Sequence, residues 1–146
     1  MAYIIAMSNE KGGVAKTTST LSLGAALAEL NYRVLLIDLD PQANLSLALG
    51  LELEEATITS ANILIEGAPI LAGIRKSEIT NLDIVPSSFR IENAEQFLPM
   101  RNQYLTTLRA ALEADPLPYD YILLDCPPAL GAITLNALSA ANLLII

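Results

Sequence analysis

Short continuous runs of apolar residues alternate with helix-length segments along this chain. The runs cover residues 3–7, 34–37, 82–85, 121–124 and 142–146. A continuous apolar run is typical of a strand that is covered on both faces, and its alternation with helices is typical of βαβ units. The sequence therefore predicts an α/β fold with a mostly parallel sheet flanked by helices.

The composition bounds the class of protein. With 146 residues, of which 53% are hydrophobic, the chain is expected to form a single domain over residues 1–146. A net charge of -8 excludes a strongly basic nucleic-acid surface within these residues. The single cysteine, Cys126, excludes an internal disulfide framework and a metal site built from several thiolates of one chain. We expect a reducing, cytoplasmic setting.

The last twenty residues, 127–146, carry no charge and have the length of a membrane-spanning helix. Two opening prolines, two asparagines and the absence of a flanking basic cluster favour a buried helix followed by a buried strand. No membrane association is therefore expected. A last strand without a following helix would leave an apolar sheet surface exposed, so we expect the domain to be incomplete after this fifth strand.

Helical segments are predicted between the strands. Residues 17–30 indicate a largely buried helix that Asn31 can end in a left-handed conformation. Residues 103–113 indicate a surface helix with Leu105, Leu108 and Leu112 on one face. Shorter helical pieces are predicted at residues 58–65 and 70–74.

A glycine-rich loop lies between the first strand and the first helix. Such a loop aims backbone N–H groups and the positive end of the helix dipole at one point, which suits a phosphate. Gly12 and Gly13 permit a close approach, Lys16 can reach β- and γ-phosphates, and the Thr17 hydroxyl can ligate Mg²⁺. The standard pattern G-x-x-x-x-G-K-S/T fails here, whereas K-G-G-x-x-K-S/T fits, with a second lysine at Lys11.

This loop resembles that of the deviant Walker A class of P-loop ATPases, and specifically of the ParA/Soj chromosome and plasmid partition ATPases. Two further segments support the resemblance, each at the end of a predicted strand. Asp38-Leu39-Asp40-Pro41-Gln42 is similar to the D-x-D-P-Q segment of ParA proteins, in which many members have Gly where Ala43 stands. Asp125-Cys126-Pro127-Pro128 resembles the Walker B and switch region. The resemblance implies a P-loop NTPase-type sheet.

The resemblance also implies roles for individual residues. Lys16 would bind phosphate, Thr17 and Asp125 would hold Mg²⁺, the latter through water, and Asp40 would orient the attacking water. Lys11 would be the signature lysine that reaches the phosphates of the other subunit. The remaining loop residues would contact the nucleotide: Gly12, Gly13, Val14 and Ala15 through backbone N–H groups, and Thr18 at the α-phosphate.

Other readings stay open for several of these residues. Lys11 could be a solvated lysine, and Asp125 could cap the next helix. Asp38 could equally be a site residue or a buried structural carboxylate. Asn9 stands where the family commonly has Asn, but Asn is also a turn former. Since the chain has no histidine, Cys126 is expected to be a buried spacer rather than a nucleophile.

The function implied by the resemblance is a slow, partner-stimulated ATPase with Mg²⁺ as cofactor. ATP would hold two subunits face to face, a ParB-like activator would stimulate hydrolysis, and the dimer would bind DNA without sequence preference on the nucleoid. That DNA surface would lie in a part following Ile146. The alternatives are a MinD-like membrane-associated ATPase, which the D-P-Q segment disfavours, and a module that binds nucleotide without hydrolysing it. Cys126 alone argues against a cluster-carrying relative such as a nitrogenase iron protein.

Overall fold

The computed structural model describes residues 1–8, 14–54 and 57–146, and the side chain of Val14 is outside the description. The strands in these ranges are β1 (Tyr3–Met7), β2 (Val34–Asp38), β3 (Arg75–Lys76), β4 (Leu82–Val85), β5 (Tyr121–Asp125) and β6 (Leu143–Ile145). The helices are α1 (Val14–Glu29), α2 (Asn44–Ala48), α3 (Ser60–Glu66), α4 (Ile70–Gly73), α5 (Ala94–Phe97), α6 (Thr107–Ala114) and α7 (Ala132–Ala140).

The strands form one mostly parallel sheet in the order β3-β4-β2-β5-β1-β6. Only the short edge strand β3 among them is antiparallel to its neighbour. Because β2, β5 and β1 are adjacent and parallel, their carboxyl ends meet at one edge, where Asp38 and Met7 both lie opposite Asp125. The predicted α/β fold with a helix-flanked, mostly parallel sheet is confirmed.

Helices cover the two faces of the sheet. Successive residues of β2 alternate between two cores, as the period of a strand requires: Val34 and Leu36 belong to the core beneath α1, and Leu35 and Ile37 to the core beneath α3–α7. Helix α1 lies close to the sheet at Gly24, where an added Cβ would meet Leu36 Cδ2 at 2.9 Å. This close packing fixes the start of α1 relative to the strand ends.

The predicted strands are confirmed with small changes. β2 and β5 each continue one residue further than predicted and include Asp38 and Asp125. Strand β3 was missed because its two residues, Arg75 and Lys76, form no apolar run. The prediction that the last strand is buried is wrong within the described chain: β6 pairs with β1 alone and its residues are exposed.

The predicted helices also differ in detail. α1 begins at Val14, three residues before the predicted start, and Asn31 has the expected left-handed φ of 70°. The predicted helix 103–113 is a 3-10 turn over Tyr104–Thr106 followed by α6. Leu108 and Leu112 are buried as expected, but Leu105 is 41% exposed, because the change of helix type rotates it away from their face.

Candidate functional site

A buried ion pair joins the start of α1 to the end of β5. Lys16 lies in the first turn of α1, and its Nζ is 2.7 Å from Oδ1 of Asp125. Lys16 is 5% exposed and Asp125 is fully buried. A charge-assisted contact of this length is strong, and its burial requires each charge to have a partner. The structure thus brings together the predicted phosphate-binding lysine and the predicted Mg²⁺-binding carboxylate.

Two threonines of α1 complete the surroundings of Asp125. Thr17 Oγ1 donates to Asp125 Oδ2 at 3.3 Å. Thr20 Oγ1 donates to Asp125 Oδ1 at 3.1 Å and to the carbonyl oxygen of Lys16 at 3.0 Å, sharing one proton between two acceptors. The motif analysis missed Thr20. It could have been found from helical periodicity, since residues four apart, such as Lys16 and Thr20, share a helix face.

Burial dominates the electrostatics at the end of β5. It raises the pKa of Asp125, although the Lys16 charge and the hydrogen bonds from Lys16 and Thr20 act in the opposite direction. Burial also raises the pKa of the Cys126 thiol to about 12. A thiol with that pKa is not a nucleophile at neutral pH, which agrees with the prediction of a buried spacer.

Asp40 lies just beyond β2 on the same side of the sheet as Lys16. Its Oδ2 is 3.9 Å from Lys16 Nζ, and its Oδ1 accepts a hydrogen bond from the Gln42 N–H at 3.0 Å. The carboxylate is therefore held in a short turn and faces the lysine. The turn ends at Ala43, which has a positive φ of 54°. That conformation favours glycine, which is the physical reason for the glycine that many members of the resembled family have there.

Asp38 is the centre of a buried hydrogen-bond network behind Asp40. Its Oδ1 accepts from the Asp40 N–H at 3.1 Å, and its Oδ2 accepts from the Ser46 N–H at 3.2 Å and the Ser46 hydroxyl at 2.9 Å. Ser46 Oγ in turn accepts from the Ser87 N–H after β4. Burial and the nearby Asp125 carboxylate raise the pKa of Asp38 to about 7. In this geometry Asp38 positions the loop that carries Asp40.

A cavity of about 390 Å³ opens beside Asp40. Residues 127–131, between Cys126 and α7, form its other wall, with Pro127 buried and Pro128, Ala129 and Leu130 exposed. The predicted site residues Asp40 and Pro127 therefore line one space. The cavity is next to the Lys16–Asp125 pair, because Asp40 lines the cavity and its carboxylate is 3.9 Å from Lys16 Nζ.

The donor set fits Mg²⁺ that is held together with a phosphate. Thr17 Oγ1 and Asp125 Oδ2 are oxygen donors 3.3 Å apart, and Mg²⁺ is commonly held by one or two protein oxygens plus substrate phosphates. In residues 1–8, 14–54 and 57–146 no group of three or more His, Cys, Asp or Glu side chains could hold a metal ion. The protein oxygens thus suit a metal that arrives with its phosphate ligand.

The remaining predicted residues divide into two groups. Ala15 and Thr18 lie in the first two turns of α1 and are exposed. Val14 begins α1. The predicted roles of Asn9, Lys11, Gly12 and Gly13 lie outside the described residues.

None of the helices in the described part of the chain has the length and apolar character needed to cross a bilayer. Residues 127–146 contain the nine-residue helix α7 and then strand β6, in the order that the sequence predicts.

The chain is similar to a known domain family and to characterised proteins over nearly its whole length. The model of an AAA domain family matches residues 2–146. The sporulation initiation inhibitor protein Soj of Bacillus subtilis is 42% identical over 146 residues, which are all of this chain and 58% of that protein. The chromosome partitioning protein ParA of Caulobacter vibrioides is 41% identical over 141 residues, which are 95% of this chain and 53% of that protein. The chain therefore spans just over half the length of these relatives.

Solved structures give the same result for the fold. Cobyrinic acid a,c-diamide synthase from Mycobacterium smegmatis, with a bound ATP analog and magnesium, superimposes with a TM-score of 0.92 at 36% identity over 99% of this chain and 59% of that chain. A plasmid partition protein from Borrelia burgdorferi bound to AMPPNP superimposes with a TM-score of 0.84 at 30% identity over 99% of this chain and 62% of that chain. Both were crystallised with a nucleotide.

Proposed function

From the premise that this chain belongs to the AAA domain family, matched over residues 2–146, we propose that it is a Mg²⁺-dependent molecular switch that hydrolyses ATP to ADP and phosphate. The resemblance to ParA/Soj ATPases, first identified from the motifs, is confirmed by relatives with 41–42% identity. The P-loop NTPase-type fold is confirmed by the superposition on nucleotide-bound neighbours.

One observation carries the proposal: Lys16 and Thr17 from α1 and Asp125 from β5 converge within 3.3 Å, with Asp40 3.9 Å from the lysine. In the proposed complex Lys16 leaves Asp125 and binds the β- and γ-phosphates, while Thr17 and Asp125 hold Mg²⁺, Asp125 through water. Mg²⁺, when bound, neutralises charge on the phosphates. Asp40 orients the attacking water, and positioning supplies most of the catalysis.

The loop residues complete the proposed nucleotide site. Gly12, Gly13, Val14 and Ala15 donate backbone N–H groups to the phosphates, and Thr18 contacts the α-phosphate. Lys11 reaches across an ATP-sandwich homodimer and stabilises the charge that develops in the transition state of the other subunit. Asn9 and Pro127 support the loop before and after the site.

The cellular role that we propose is partition of chromosomes or plasmids, or positioning of another cargo. The chromosome partitioning protein ParA, 41% identical to this chain, and the plasmid partition protein, 30% identical, support this role. The partners proposed are a ParB-like activator and non-specific DNA, reached through a part outside these residues. The place of action is the cytoplasm, with nucleoid association in the ATP state.

Light scattering on the 146-residue chain with Mg²⁺ and either ADP or ATP tests the switch. We expect the Asp40→Ala variant to hydrolyse ATP more slowly than the wild-type chain and to form a dimer only with ATP. The matched control is Lys11→Ala, which we expect to bind a fluorescent ATP analog but to remain monomeric. The same molar mass with both nucleotides, in a chain shown to be folded by circular dichroism, would overturn the proposed switch.

Phosphate release separates the proposed enzyme from its alternatives. We expect release by the wild-type chain to exceed that by Asp40→Ala. Equal background in both would favour the alternative of a module that binds nucleotide without hydrolysing it.

A further inference from the structure

The amino-terminal end of α7 is capped by a side chain from another helix. Glu95 of α5 accepts the Ala132 N–H at Oε2, 2.6 Å away, and the Ile133 N–H at Oε1, 3.3 Å away. The first N–H groups of a helix have no partner within the helix, and the residue before α7, Gly131, has no side chain with which to cap them. A carboxylate at this end also interacts favourably with the helix dipole.

The Glu95 carboxyl group occupies the space that a side chain at Gly131 would need. A Cβ added at Gly131 would lie 2.3 Å from Glu95 Oε2 and 2.8 Å from Glu95 Cδ. Gly131 has φ -113° and ψ -165°, which any residue can adopt. The absence of a side chain is therefore required by the approach of the carboxylate and not by the backbone conformation.

The contact between Glu95 and the start of α7 fixes one end of segment 127–131, which forms a wall of the cavity beside Asp40. Residues 127–131 leave β5 at Cys126, whose N–H donates to the Met7 carbonyl oxygen at 3.0 Å, and they return to α7 at Gly131. Within the segment, the Ala129 carbonyl oxygen accepts from the Thr134 hydroxyl at 2.7 Å. Glu95 holds the returning end against α5 and itself lines the cavity.

We infer that Glu95 is a positioning residue for hydrolysis, which holds segment 127–131 at its correct distance from Asp40. The inference rests on the proposed ATPase function and deepens it. Because Lys16, Thr17 and Asp125 do not contact Glu95 in the described hydrogen bonds, loss of Glu95 should leave nucleotide binding intact and slow the chemical step. Small displacements of a catalytic arrangement lower rates steeply, by up to about a hundredfold.

A double-mutant cycle on the 146-residue chain tests this inference. Glu95→Ala removes the cap, and Gly131→Ala expels the carboxylate while Glu95 is still present. We expect each to lower the single-turnover rate of phosphate release by about tenfold, with the affinity for a fluorescent ATP analog unchanged. The double variant should resemble either single variant, because both changes break the same contact.

Two further variants distinguish the loss of the Glu95 contact from a general loss of folding. Glu95→Gln keeps one acceptor oxygen and should retain part of the rate, and Glu113→Gln, which changes an exposed glutamate on α6, should behave as wild type. Hydrogen exchange should show faster exchange of the Ala132 and Ile133 amides in Glu95→Ala. A wild-type rate in Glu95→Ala, or additive losses in the double variant, would overturn the inference. Absence of hydrolysis in the wild-type chain would overturn the proposed ATPase and this inference with it.

Discussion

Lys16 Nζ lies 2.7 Å from Asp125 Oδ1, so the predicted phosphate ligand and the predicted metal ligand form a buried ion pair with each other. Both side chains are buried, and each is the principal counter-charge of the other. The roles proposed for the two side chains, phosphate binding by Lys16 and metal binding by Asp125, would therefore require this pair to separate.

Because Lys16 and Asp125 form an ion pair, the effects of substituting them on the free energy of unfolding should not be additive. Lys16→Met leaves a buried carboxylate without its charge partner. Asp125→Asn leaves a buried ammonium whose remaining carboxylate partner among the described residues, Asp40, is 3.9 Å away. We expect each to lower the free energy of unfolding by about 3 kcal/mol at pH 7. The double variant should lose clearly less than the sum, as measured by urea denaturation. Losses that simply add would show that the two groups are not coupled.

Thr20 offers a test of the environment of Asp125. Thr20→Val removes a hydroxyl that donates to Asp125 and to Lys16 O but keeps the shape of a fully buried side chain. We expect a loss of about 1–2 kcal/mol in stability. Because groups that orient a metal ligand affect metal affinity, we expect about tenfold weaker Mg²⁺-ATP binding by calorimetry. Thr20→Ser keeps the hydroxyl and should stay near wild type; equal weakening in both variants would exclude a role for the hydroxyl.

Asp38 predicts a pH dependence of stability. Its pKa is raised from 3.8 to about 7 in the folded chain, so the folded chain holds this proton more tightly than the unfolded chain. The contribution of Asp38 is therefore fully present below about pH 4 and is lost as the pH rises through about 7. The difference between the two pKa values corresponds to a loss on the order of 4 kcal/mol.

Urea denaturation between pH 4 and 8 measures that loss. The wild-type chain should become less stable over this interval by more than Asp38→Asn does, because asparagine cannot ionise. Comparison with this variant removes the contribution of the other carboxyl groups. Parallel curves for the two chains would contradict the raised pKa of Asp38.

Substitution of alanine by glycine should change the stability of the chain in opposite directions at Ala43 and at Ala48. At Ala43, where φ is 54°, glycine relieves a backbone conformation that costs alanine about 1 kcal/mol. At Ala48, the last residue of α2, glycine should lower stability by about 0.5–1 kcal/mol. Thermal unfolding of Ala43→Gly and Ala48→Gly makes the comparison. Equal destabilisation by both substitutions would mean that Ala43 is not strained.

Much of the fold could be predicted because its signals are local. Residues 34–37 and 121–124 are continuous apolar runs, and this pattern identifies a doubly covered strand without knowledge of its neighbours. Residues 17–30 are rich in Ala and Leu, which indicates a largely buried helix, and Asn31 ends it. Strand β3 and the exposure of Leu105 could not be predicted, because each depends on contacts or on a change of helix type that local composition does not express.

The residues of the candidate site also fall into two groups, those that sequence motifs identify and those that only tertiary contacts reveal. Lys16 and Thr17 could be selected from the loop motif, and Asp40 and Asp125 from segments that resemble those of the ParA/Soj ATPases. Ser46 and Glu95 carry no such signal. Ser46 contacts Asp38 because α2 folds back over the end of β2, and Glu95 reaches α7 from a position 37 residues earlier in the chain.

By itself, then, the sequence determined the type of most of its elements and the parallel sheet, because apolar periodicity acts over a few residues, whereas the chemistry of the phosphate loop stays a prediction from its motif. The tertiary structure alone decided that Lys16 is paired with Asp125, 109 residues away, that Asp38 is buried among donors with a pKa near 7, and that Glu95 caps α7. These relationships follow from the strand order β2-β5-β1 and the packing of α5 on α7, which bring distant residues into a common, desolvated space.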